Sequence, residues 1–340
     1  MLDSRARARF RRNRAAVAGG IIVLGLTVFA IAGPLLAGQD PYTSDFQRGI
    51  SPEGTPIGPS ADHLLGTDRI FRDELARIAH GARLSLLIGV CATLIATVIG
   101  ASVGIVAGYY EGSAGVRVPW WSTGAFSVAI VAIVAGSPVG GIAAVSTGVL
   151  IWLADAKTPD HQASGPRLNA DLVLMRLVDI GLSFPFLLLV MAIGAALDRA
   201  TVTTILVTLG LTGWLGTARV LRAKTMQVKN LEYVLGSRAL GQSTPRILLR
   251  HILPNVAGPL IVTATVSVAQ MIVAESVLSY LGVGISPPTA TWGHMLFEGQ
   301  DYYQAAPWLI AGPGIAILLA VFGFNLLGEG LRDALDPREE

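Results

Sequence analysis

The residues able to do chemistry are few in this chain, and their spacing excludes more than it assigns. A phosphate-cradling loop needs a glycine followed by lysine and then serine or threonine. Lys157, Lys224 and Lys229 are the only lysines, and none follows a glycine. The patterns of a helical zinc hydrolase or a serine nucleophile elbow are also absent. His63 and Asp68 could ligate a metal, but no further ligand stands at a fitting distance in sequence, so both read as parts of a structured loop. Cys91 is the single cysteine, which rules out an intrachain disulfide and a cysteine metal cluster.

Three ionisable residues fall in or near apolar runs: Arg176, Asp179 and Glu275. A charge at bilayer depth costs about 2.5 to 3.5 kcal/mol on insertion scales, so each needs a reason. Arg176 and Asp179 stand three apart on one helical turn and are expected to pair with each other. Glu275 lies mid-span beside Ser276 and Ser279, where it serves either an interhelical hydrogen bond or translocation.

The elements that must position these groups are membrane helices. The 340 residues are 52 % hydrophobic and 14 % charged, far too apolar for a soluble domain of this size. Residues 1–14 form an Arg-rich tail, cytoplasmic because positive flanks stay inside, followed by a first span over 15–37. That run exceeds the core of a secretory signal and is read as retained rather than cleaved. Residues 38–80 form an outer loop that ends in an interfacial helix over 71–80. Further spans are expected at 82–109, 172–197, 201–220, 256–283 and 307–327, with an outer loop over 284–306 and a cytoplasmic tail over 331–340.

Residues 112–167 hold two apolar stretches of about 16 residues, short for a crossing that takes about 17 to 25. Arg117 precedes them and Lys157 and Arg167 follow, so both flanks belong inside. An inserted hairpin broken near 136–141 satisfies this, whereas one continuous tilted helix would invert everything downstream. With six spans and a hairpin, both termini are cytoplasmic.

Between two spans lies a basic island, 229–255. Leu231, Val234 and Leu235 share a helical face, Gly241 suits a left-handed helix stop, and Thr244 is expected to cap a second helix beginning at Pro245. Two capped helices at a fixed bend make either a solvated loop or a docking knob.

The island resembles the cytoplasmic coupling loop of ABC importer permeases, whose pattern is Glu-Ala-Ala, three residues, Gly, and later Ile-Leu-Pro. Here Arg238-Ala239-Leu240-Gly241 and Arg250-His251-Ile252-Leu253-Pro254-Asn255 carry the likeness. His63-Leu64-Leu65-Gly66-Thr67-Asp68, Leu278-Ser279-Tyr280-Leu281-Gly282, Ala306-Pro307-Trp308 and Phe324-Asn325-Leu326-Leu327-Gly328 extend it over nearly the whole chain. Together they are similar to the second permease of the dipeptide, oligopeptide and nickel group.

That resemblance implies an all-α polytopic fold with six core transmembrane helices of the type I ABC importer kind within 81–330 and its flanks, plus the inserted hairpin. It implies a heterodimer with a homologous permease in lipid, two ATP-binding subunits carrying ATP and Mg, an extracytoplasmic solute-binding protein, no nucleic acid and no cofactor in this chain. The coupling residues would be Glu232, Leu235, Gly236, Arg238, Ala239, Leu240, Gly241, Arg246 and Ile247. Of these, Leu235, Gly241 and Ile247 would supply apolar docking and Arg238 and Arg246 charge. Glu275, Ser279 and Asn325 would line the path. The sequence departs from the family at Leu235-Gly236-Ser237, where Glu-Ala-Ala is expected, and Glu232 is no obvious replacement for the lost acid. Peptides are the expected substrate, with nickel, haem or another solute as the alternative. A lone secondary transporter and a non-transporting scaffold are the readings from other classes.

Overall fold

The computed structural model describes residues 9–113, 116–117, 167–196 and 201–335. The expected hairpin, apart from its two ends, lies outside them. Chain contacts separate residues 1–105 with 178–340 from residues 106–177.

In the larger unit, α1 (Arg14–Ala37) and α2 (Glu74–Tyr110, which runs on into the smaller unit) are long and apolar enough to cross a bilayer. No separate interfacial helix precedes α2. Asp73 Oδ1 accepts from Ala76 N–H at 2.7 Å and starts a helix that holds no proline and runs to Tyr110, just before Gly112 turns to φ +73°, so the interfacial turn and the span are one rod.

The next span is broken. Helices α3 (Ala170–Ser183) and α4 (Phe186–Ala196) meet at an 88° bend at Phe184-Pro185, where proline lacks an N–H and pushes its predecessor out of helical conformation. Helices α5 (Val202–Thr212) and α6 (Trp214–Val228) follow and together pass as one span. The basic island contributes α7 (Glu232–Ala239) and α8 (Thr244–Ile247). A π-helical turn at Leu248–Ile252 then joins α8 to α9 (Leu253–Tyr280). The expected outer loop carries a helix of its own, α10 (Trp292–Gly299), because Thr291 Oγ1 accepts from His294 N–H and the Trp292 side chain is fully buried. Finally α11 (Trp308–Leu335) runs past the expected end at 327, since the next proline is Pro337. The described residues thus supply five helices long and apolar enough to span and one bent pair, which matches the six expected core spans when the pair counts as one.

Small residues let these helices approach closely, the usual device where lipid removes a hydrophobic drive between helices. A Cβ on Gly19 of α1 would meet the Leu327 backbone at 2.5 Å, and one on Gly100 of α2 would meet Trp214 O at 2.7 Å. The start of α1 and the end of α11 also touch: Asn13 Nδ2 donates to Asp333 Oδ2 at 2.8 Å.

In the smaller unit the one strand pairing among the described residues is a two-residue antiparallel ladder. It sets Val116 against Leu168 and Arg117 against Arg167. The two flanks of the insertion therefore meet.

Candidate functional site

The basic island is a folded knob. Helix α7 stops at Gly241, which sits at φ +73°, the left-handed conformation that glycine takes without a Cβ clash. Gly241 N–H donates to Arg238 O at 3.0 Å and Gln242 N–H to Ser237 O at 3.2 Å, closing the helix end. The second arm differs from the capped helix expected. Ser243 is the extended residue before the helix, Thr244 is already helical, and no side chain caps it. Nor does that arm end on its own, because the π turn carries it into α9, so Thr244–Tyr280 forms one 37-residue rod. Pro254 cannot donate to Arg250 O, and Asn255 Nδ2 reaches back to His251 O at 2.6 Å.

His251 sets the bend. Its Nε2 lies 3.3 Å from Ser237 Oγ on α7 and 3.2 Å from Gln242 Oε1 in the turn, while its ring meets that of Tyr233 at 6.3 Å. Val234 and Ile252 are buried under the same bend. Ile247, expected on the docking face, is 1 % exposed and braces the knob from within, because the rod buries the side of α8 that faces α7. Leu240 at the tip is 84 % exposed, and Leu235 and Leu249 are also open. Glu232, Gly236, Arg238, Ala239, Gly241 and Arg246 are all exposed. The knob offers an apolar tip within a basic rim.

The candidate path residues separate. Glu275 is fully buried and accepts from Ser279 Oγ at 2.8 Å and from Ser85 Oγ of α2 at 3.2 Å. This is the interhelical hydrogen bond that was one of its two readings. Asn325 instead lines a cavity of about 560 Å³ between the α3–α4 bend, the α5–α6 junction, α9 and α11. Glu275 and Ser279 do not line it. Asp179 pairs with Arg219 of α6 at 2.6 Å, an interhelical bridge in place of the expected turn with Arg176. Reading Arg176 and Asp179 as one turn overlooked Arg219, which only the packing of α6 brings near.

One cluster was not foreseen. At the start of α2, Arg72 bridges Asp68 at 2.6 Å and Glu298 of α10 at 3.1 Å, and Arg77 contacts the same two carboxylates. All four side chains are buried. Asp68 and His63 are thus structural, with His63 Nδ1 3.0 Å from Asp73 Oδ2. Beside them, burial holds the His294 imidazole below its ordinary pKa against the opposing pull of Glu298, 3.8 Å away. The crowding of Asp68, Arg72 and Arg77 was visible in the sequence, but nothing there pointed to Glu298, more than 220 residues on. Gly66, at φ +80°, closes the loop: Trp308 Nε1 donates to Thr67 O at 3.1 Å and lies 2.7 Å from where a Gly66 Cβ would be.

Known proteins resemble this chain in sequence along nearly its whole length. Residues 163–340 match the family model of the binding-protein-dependent transport system inner membrane component, and residues 4–52 match the N-terminal TM domain of oligopeptide transport permease C. The chain is 33 % identical to the oligopeptide transport system permease protein OppC of Bacillus subtilis, covering 98 % of this chain and 88 % of the relative. It is 34 % identical to the dipeptide transport system permease protein DppC of the same organism, covering 97 % and 84 %. The di/tripeptide transport system permease protein DppC of Pseudomonas aeruginosa is 33 % identical over 97 % and 90 %. The chain belongs to the family of binding-protein-dependent transport system inner membrane components.

Proposed function

We propose that this chain is one permease subunit of an ATP-driven importer of small peptides and forms half of the translocation path. The observation that carries this reading is the similarity to peptide permeases along nearly the whole chain, with the knob and the six spans all inside the matched length. The chain transports rather than catalyses, and ATP and Mg belong to two partner ATPase subunits. A homologous permease completes the path, and a solute-binding protein delivers substrate to the outer loops, 38–80 and 284–306.

In this reading the knob lies in the cytoplasm, as do both termini and the flanks of the 112–167 insertion. The excess of arginine and lysine around the island supports that orientation. The meeting of Asn13 with Asp333 supports a common side for the ends, and the Arg117–Arg167 ladder a common side for the insertion's flanks. Closing of the ATPase pair on ATP pushes the knob, and the Thr244–Tyr280 rod carries the push into the bundle. Leu235, Leu240 and Leu249 supply the apolar contact; Glu232, Gly236, Arg238, Ala239, Gly241 and Arg246 shape its rim. With leucine in the place of the family's acid, docking leans on apolar burial.

The test is uptake of a labelled dipeptide into vesicles carrying the assembled transporter. Uptake should stop when ATP is withdrawn and persist when a proton ionophore collapses the proton gradient. Uptake that ignores ATP and follows the gradient would show a secondary transporter instead.

A further inference from the structure

The cavity beside Asn325 holds a second carboxamide that the sequence did not single out. Gln270 lies in the middle third of α9, is exposed, and lines the cavity with Asn325. Neither carboxamide has a hydrogen-bond partner among the described residues. Lipid cannot satisfy such a group, so a helix face carrying one is turned toward protein or a water-filled space. The outer faces of this bundle look different. On α2, Leu87, Val90, Leu94 and Val98 are exposed at helical spacing and are purely apolar, a surface suited to acyl chains.

Apart from Thr212, whose hydroxyl donates to Thr208 O at 2.8 Å, the rest of the cavity wall is apolar, with Leu187, Leu215, Val266 and Met271 among its lining and no charged side chain among the described residues. Such a wall accepts varied apolar side chains and offers no ion pair. The carboxamide of Gln270 presents one donor and one acceptor group, the complement of a peptide unit.

We propose that this cavity is a substrate-contact wall of the path and that Gln270 is its specificity-determining residue, pairing with the backbone amide of a passing peptide. This rests on the peptide reading above.

The experiment uses the assembled transporter in vesicles with Cys91→Ala as background. Gln270→Cys is compared with Leu94→Cys on the lipid-facing side, using a charged methanethiosulfonate reagent that reacts with thiolates in water. The proposal expects Gln270→Cys to be labelled several-fold faster than Leu94→Cys, and an imported dipeptide to slow that labelling. It also expects Gln270→Leu to raise KM for the dipeptide several-fold with little change in kcat, and Gln270→Asn to restore part of the loss. Labelling no faster than at Leu94→Cys overturns the proposal, and so does labelling that an imported dipeptide leaves unchanged. If the unsubstituted transporter imports no dipeptide, the peptide reading itself falls.

Discussion

Arg83 donates its Nε to the carbonyl of Ala30 at 2.7 Å and its Nη2 to that of Ile31 at 2.9 Å, reaching from α2 to α1. Ala30 is the residue four before Pro34, so its carbonyl has lost its helical donor. The guanidinium fills that vacancy and ties the two helices together. Arg83→Leu should lower stability by about 1 to 3 kcal/mol, the cost of an unsatisfied buried group. Adding Pro34→Ala should recover part of it by restoring the helical bond. Thermal unfolding of the detergent-solubilised transporter reads both, and equal losses in the single and double variants would refute the link.

The ionic cluster at the start of α2 makes a different prediction. Arg77 and Glu298 are buried together, so Glu298→Gln or Arg77→Met leaves an uncompensated charge and should cost about 3 to 5 kcal/mol. The double variant should cost less than the sum of the singles, because neither charge is then stranded. A double-mutant cycle on unfolding midpoints checks this, and additive losses would mean that the pair is not coupled.

His294 gives the region around α10 a pH dependence of definite sign. Burial lowers its folded pKa below the ordinary value of about 6.5. Above that value the imidazole is neutral in both states and contributes no slope. As pH falls below it, the unfolded chain binds a proton that the folded one resists, so stability is lost. His294→Gln should flatten the unfolding midpoint between pH 7.5 and the folded pKa relative to the parent. Parallel curves for parent and variant would show that His294 does not contribute.

Much of this was legible in the sequence because membrane helices announce themselves by length and apolarity, and glycine and proline by what they forbid. Gly241 suits a left-handed helix stop, and it ends α7 at positive φ. What stayed hidden was relational. The π turn that fuses α8 to α9 depends on how Pro254 is accommodated, and the burial of Ile247 depends on which side of the rod meets α7. The pairings of Arg219 with Asp179 and of Arg77 with Glu298 join residues 40 and 221 positions apart, and no local pattern encodes such distances. Helix α10 was missed because eight residues that include Gly293 and Gly299 and follow Pro287-Pro288 read as loop until Trp292 is seen to be buried.

The central claim is that the knob transmits the work of ATP hydrolysis, and the ratio of dipeptide imported to ATP hydrolysed tests it most directly. Leu240→Glu puts a charge on the most exposed apolar side chain of the tip. Gly241→Val forces a β-branched residue into left-handed backbone, at a local cost of about 1 to 2 kcal/mol or more. Each variant should assemble its membrane subunits normally, yet import far less dipeptide per ATP than the parent in the same vesicles. An unchanged ratio in both variants, with assembly intact, would contradict the account.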